Sequence, residues 1–185
     1  MITVRPERFT KVEYDHGQLV AHAEAALKRV FGPSADLDIE IEVDEDAATT
    51  RFAITAMEPV VVVDLDGGAV ENLRDPRRFG GLAADITFTR IFLELYDRRL
   101  AVFGAPSLDE QPSQAQRMAW DVNLYGRVAR LGLRLHKPRF LYNFRNRHGF
   151  TDKADAVFEQ LWEAGDTTWR RIADLSDSAR GEQAG

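Results

Sequence analysis

Between His16 and Phe31 the apolar residues Leu19, Ala23, Ala26, Leu27 and Val30 recur at helical spacing, and Gly32-Pro33 stops the run. Leu37 to Val43 then alternates strictly. Leu37, Ile39, Ile41 and Val43 fall on one side, and Asp38, Glu40 and Glu42 on the other, which predicts a half-buried strand with one acidic, wet face. Asp44 to Thr50 reads as a polar turn, after which Phe52, Ile54 and Ala56 resume the alternation. The two runs predict an antiparallel hairpin. Val60 to Leu65 (VVVVDL) predicts a third, more deeply buried strand.

The second half of the chain changes period. Asp75-Pro76 has the form of an N-cap with proline at the first helical position. Leu82 to Leu100 carries two apolar stripes, one through Leu82, Ile86, Leu93, Tyr96 and Leu100 and one through Phe88, Phe92 and Leu95. A helix apolar over that much of its girth belongs at the centre of a domain. After the loop APSLDEQP, Ser113 and Gln116 form a capping-box pattern ahead of Met118, Val122, Tyr125 and Ala129. In Leu135 to Phe144, the stretch FLYNF suggests a short strand, with Phe140, Tyr142 and Phe144 on one face. Thr151-Asp152 caps a helix bearing Ala154, Val157, Phe158, Leu161 and Trp162, with Gly165 at its end, and Thr167 or Thr168 caps a short one bearing Trp169, Ile172 and Leu175.

Three strands grouped near the N-terminus and helices thereafter point to an α+β fold. The expectation is a small, mostly antiparallel sheet packed by the long central helix and a helical C-terminal half. It places one domain over 1–175 and a flexible tail over 176–185.

Composition adds little to that picture and removes several chemistries. With no cysteine among 185 residues, disulfides, thiolate metal sites and cysteine nucleophiles are excluded. The N-terminus shows no signal-peptide run, and no apolar stretch approaches the roughly 20 residues of a membrane span, so a soluble, cytoplasmic protein is expected. Of the 24 basic residues 20 are Arg, a bias that fits G+C-rich coding and supplies planar forks for carboxylates and phosphates.

Most motifs fail on inspection. The strand end VVVVDLDGG resembles the first motif of haloacid dehalogenase-like phosphotransferases, which would make Asp64 the nucleophile and Asp66 the acid/base around magnesium. Gly68 stands where that family has a hydroxyl residue, and no later strand runs into a paired-Asp motif. A strand entering an Asp-Gly turn is the plainer reading. A small sheet followed by one buried helix resembles minimal zinc peptidases, whose central helix carries the ligands. Here that helix has no histidine and only Asp85, Glu94 and Asp97 as acids, which leaves at most a metal-free relative of that fold. Asp44-Glu45-Asp46 lacks the spacing of a calcium loop, and no phosphate-cradling or dinucleotide fingerprint occurs. No cofactor is expected.

Charge, by contrast, is unevenly spread. From Glu13 to Glu71 there are 14 acidic residues against three basic ones; from Arg117 to His148 there are eight basic against one acidic. In KPRFLYNFRNRHGF the bases alternate with aromatic residues, which nominates Arg139, Arg145, Arg147 and His148 as an anion-binding surface. The competing reading makes Phe140 and Phe144 core and pairs the arginines with the acidic half. A net charge of −6 weighs against nucleic acid. An anionic small molecule or a protein partner is the remaining candidate, and a homodimer is compatible with the sequence.

Arg139 to Trp162, RFLYNFRNRHGFTDKADAVFEQLW, resembles a group of uncharacterised actinobacterial proteins over Trp120 to Trp169. That resemblance implies no reaction. The sequence therefore favours a non-catalytic binding or interaction protein, with a metal-dependent hydrolase or phosphotransferase on Asp64 and Asp66 as the alternative.

Overall fold

The structure, a computed structural model, describes residues 1–180. Helices and strands are both present, in two compact units: one over Met1–Tyr96 and a second beginning at Asp97. The sequence had suggested one domain over 1–175.

The first unit contains β1 (Ile2–Arg5), α1 (His16–Phe31), β2 (Ile39–Asp44), β3 (Phe52–Ala56), β4 (Val61–Asp66), the short strands β5 (Glu71–Asn72) and β6 (Asp75–Phe79), and most of α2 (Gly81–Arg99). The main sheet has the order β1-β2-β4-β3. Ile39, Ile41 and Val43 are buried and Glu42 and Asp44 exposed, as the alternation requires.

The pairing differs from the expectation of a mostly antiparallel sheet. β2 and β3 do not form a hairpin, because β4 lies between them, parallel to β2 and antiparallel to β3. β1, too short to stand out as a pattern, is parallel to β2. The physical reason is burial. Val61, Val63 and Leu65 form the most apolar strand face, and it is buried deepest with a neighbour on either side. A hairpin of β2 with β3 would have left it at an edge.

Asp75-Pro76 opens the edge strand β6 rather than a helix, and α2 begins only at Gly81. Proline is tolerated in an edge strand such as β6, where an N–H on the open side has no ladder partner to lose. Within α2 the stripe Phe88, Phe92 and Leu95 is fully buried; of the other predicted stripe Leu93 is buried, Leu82 and Tyr96 are exposed, and Leu100 is exposed just past the helix end.

The second unit is helical: α3 (Gln114–Arg130), α4 (Lys137–His148), α5 (Asp152–Glu163) and α6 (Trp169–Arg180). The Ser113–Gln116 capping box is present in both directions, and Thr151 and Thr168 accept the cap bonds of α5 and α6. FLYNF is helical, inside α4, so the predicted strand is absent. Ser176 to Arg180 continue α6, because Ser176 and Ala179 extend the buried face of Ile172 at i+4 and i+7. The remainder of the predicted tail, 181–185, lies outside the described residues. α3 and α5 approach closely at Gly126, where a Cβ would stand 2.1 Å from the Trp162 carbonyl oxygen.

Candidate binding face

α4 is framed by local chemistry. Pro138 sits in its first turn, and Gly149 follows its end at φ 101°, donating its N–H to the Arg145 carbonyl at 2.7 Å. The cations Arg145, Arg147 and His148 fall in the last turn, where the helix dipole favours them when charged. Its inner face carries Phe140, Leu141, Phe144 and His148. Phe140 lies 4.4 Å from Tyr125 and 5.7 Å from Trp162, ring centre to ring centre, and Phe144 lies 5.8 Å from Phe158. These contacts belong to the core of the second unit.

The four nominated residues separate into two pairs. Arg145 grips Asp155 of α5 with both arms of its fork, Nε donating to Oδ1 at 2.7 Å and Nη2 to Oδ2. This bidentate pair raises the guanidinium pKa and lowers that of the Asp155 carboxyl through the same hydrogen bonds. His148 is buried, stacked 3.8 Å from the Phe144 ring, with Nδ1 3.1 Å from the Phe144 carbonyl oxygen and Nε2 2.9 Å from the Ser176 hydroxyl. Burial lowers its pKa first; the Phe144 carbonyl opposes that shift. Arg145 and His148 thus have internal partners, and Arg145 pairs with α5 rather than with the acidic half of the chain. Arg139 and Arg147 are exposed and make no ion pair among the described residues.

Other bases of the segment are also engaged. Lys137 donates to Glu159 at 2.6 Å, Arg127 binds Asp97 at 2.7 Å, and Arg130 donates to the Trp162 and Ala164 carbonyls at the end of α5. Arg134 is exposed and unpaired among the described residues.

What the sequence left undivided is which of the interleaved aromatics stay outside. Tyr142 is 58% exposed and Phe150 64% exposed, and the two rings meet edge to face at 6.0 Å. The Arg145 guanidinium carbon lies 5.9 Å from the Phe150 ring centre. On the helix, Arg139, Tyr142 and Asn146 recur at i, i+3 and i+7, so they share one exposed face. The usable signal was the second periodicity of the segment: Phe140, Phe144 and His148 at steps of four assign the inside and leave Tyr142 outside.

The alternative centre is built differently. Asp64 and Asp66 both point to the open face of the main sheet, where Asp64 is in register with Glu42 and Asp66 with Asp44. Asp66 accepts a hydrogen bond from the Thr49 hydroxyl. Gly68 is accounted for by packing, since a Cβ there would stand 2.2 Å from the Ala48 carbonyl oxygen. Among the described residues no group of three His, Asp or Glu side chains could hold a metal ion. The acids of α2 have protein partners: Asp85 meets His22 at 2.9 Å, Glu94 meets Arg90 at 3.0 Å, and Asp97 accepts from Trp120 and Arg127.

No protein-family model, curated protein or solved structure matches the chain. Among the described residues no helix is long and apolar enough to cross a membrane.

Proposed function

We propose that this protein is a non-catalytic binding protein that engages an anionic partner through the outer face of α4. The surface consists of Arg139, Tyr142, Asn146 and Arg147, extended by Phe150. The observation that carries the reading is the exposed Tyr142–Phe150 pair beside two arginines without ion-pair partners. Tyrosine and arginine are enriched among the residues that carry most binding energy at protein interfaces, and phenylalanine is enriched in the interfaces themselves. Exposing two large rings side by side costs solvation, and a partner that covers them recovers it.

The shape of the surface selects the class of ligand. Small anions are held in concavities where several donors converge, whereas Arg139 and Arg147 stand on the convex side of a helix. A concavity of about 390 Å³ in the same unit is lined by Gln160, Leu161, Glu163, Asp166, Thr167 and Arg171, among others, and carries more acid than base. An extended acidic surface on a macromolecule therefore suits the α4 face better than a phosphate does. Few unpaired arginines and an acidic remainder weigh against nucleic acid, where affinity rests on neutralising many phosphates.

Binding of poly-L-glutamate, followed by the change in tyrosine and tryptophan emission, tests the reading. Wild-type protein should bind and release the polymer as salt rises. Arg139→Ala/Arg147→Ala and Tyr142→Ala should each weaken binding by roughly tenfold. Wild-type protein that ignores the polymer, or a double variant that binds it unchanged, would refute the proposal.

A further inference from the structure

We infer that the acidic partner of the α4 face is a second copy of this chain, presenting the open face of its main sheet. The inference rests on the reading just given and names its partner. The argument is charge complementarity between two surfaces that the same chain carries.

The outer side of the sheet displays Glu40, Glu42 and Asp44 from β2 and Asp64 and Asp66 from β4. In the parallel register Glu42 lies opposite Asp64, and Asp44 opposite Asp66. Neighbouring strands are only about 4.8 Å apart, so these are like charges placed side by side, which disfavours the pairing. Relief within the chain is partial. Arg5 pairs with Glu40, the Thr49 hydroxyl serves Asp66, and the Asp46 backbone N–H serves Asp44. Glu42 and Asp64 are exposed and make no ion pair among the described residues.

A sheet face that retains an uncompensated in-register pair of carboxylates is a local conflict, of the kind that persists where another surface resolves it. Arg139 and Arg147 are the matching surplus. They stand without counter-ions on α4, on either side of Tyr142 in sequence, and Arg134 adds a third unpaired cation just before the helix. Planar guanidinium forks are suited to carboxylates presented in a row. Each copy carries one face of each sign, so every copy can both offer and receive the contact.

Sedimentation velocity with a charge swap tests the inference. Wild-type protein should associate at about 50 mM salt and dissociate at about 500 mM, where exposed charges are screened. Glu42→Arg/Asp64→Arg should be monomeric, because it sets two cations where the partner's arginines would meet the unrelieved carboxylates. Arg139→Glu/Arg147→Glu should be monomeric as well, because its α4 carboxylates would repel those of the sheet. Mixed together, the two variants should associate with each other, since the reversed positions again meet opposite charges. Far-UV circular dichroism establishes that each variant is folded. If a reversal prevents folding, Glu42→Gln/Asp64→Asn and Arg139→Gln/Arg147→Gln replace it, and each should weaken association at least tenfold.

Wild-type protein that stays monomeric at low salt overturns the inference. So does association insensitive to these substitutions, or a mixture that fails to pair. The reading of α4 is separable from this. A monomer that still binds poly-L-glutamate through Arg139 and Arg147 defeats the second copy as partner and leaves the anionic-partner surface standing. A monomer that ignores the polymer defeats both.

Discussion

Arg145 shows how one side chain can be right in type and different in role from what its neighbourhood suggests. In the sequence it stands among aromatics and bases, as a ligand-binding arginine would. In the structure its fork is closed on Asp155, ten residues away on the next helix. The pair joins α4 to α5, and because the geometry is bidentate, lysine cannot reproduce it. We expect Arg145→Ala and Asp155→Ala each to lower the melting temperature, and the double variant to cost little more than either single one, since both remove the same interaction. Arg145→Lys should recover only part of the loss. Melts with and without sulfate should coincide for the wild type at this position; a sulfate-dependent gain that disappears in Arg145→Ala would show instead that the arginine holds an anion. The sequence could nominate the segment but not divide it. Residue type and spacing brought Arg139, Arg145, Arg147 and His148 together, whereas their separation into paired and unpaired depends on Asp155 and Ser176, which arrive from other helices.

Among the elements, those set by local chemistry were the most legible. α1, α5 and the capping box of α3 follow from side chains within a few residues of one another. FLYNF was ambiguous because Phe140, Tyr142 and Phe144 satisfy a period of two while Phe140, Phe144 and His148 satisfy a period near four. Pro138 in the first turn and Gly149 just past the end of a twelve-residue helix decide in favour of the helix. Strand order was not legible, since the valine run of β4 announces depth of burial but does not say that β2 and β3 lie on either side of it. Helix contacts were hidden for the same reason. Gly126 lies in the middle of α3, where an isolated helix would gain about 1 kcal/mol from alanine. Here the new Cβ would meet the Trp162 carbonyl oxygen and carbon at 2.1 and 2.8 Å, which are backbone atoms that cannot swing aside. Gly126→Ala should therefore destabilise the protein by at least about 2 kcal/mol, read from urea denaturation. A stabilised variant would mean that α3 and α5 are not in close contact.

Over the whole molecule, pH should act through a few groups whose partners differ between folded and unfolded chain. Burial holds His148 below its ordinary 6.5, so the folded form keeps the imidazole neutral where the unfolded chain would protonate it. Its contribution is complete above pH 6.5 and is lost as pH falls toward the depressed value. Asp155, lowered from 3.8 by Arg145, contributes fully above that value and is lost at more acid pH. Tyr14 acts at the other end. It is buried, donates to the Gly67 carbonyl at 2.8 Å, and its pKa is raised from 10.0 to about 12, mainly by burial and further by Glu71. A raised value reverses the sign: its contribution is complete below pH 10 and is lost as pH climbs from there through about 12. The three together predict a plateau of thermal stability between about pH 6.5 and 10, with a shallow acid shoulder, a steeper fall in strong acid and an alkaline limb. Each limb has its own variant. His148→Gln should lower the plateau, because the Ser176 contact and the stack on Phe144 are lost, yet flatten the shoulder below pH 6.5. Tyr14→Phe should leave the acid side unchanged and remove the decline that begins near pH 10. Melting curves followed by circular dichroism across this range read both effects. An alkaline limb that survives in Tyr14→Phe would show that ionisation of this phenol is not what weakens the fold there, and that the Tyr14–Gly67 contact does not keep its proton in place.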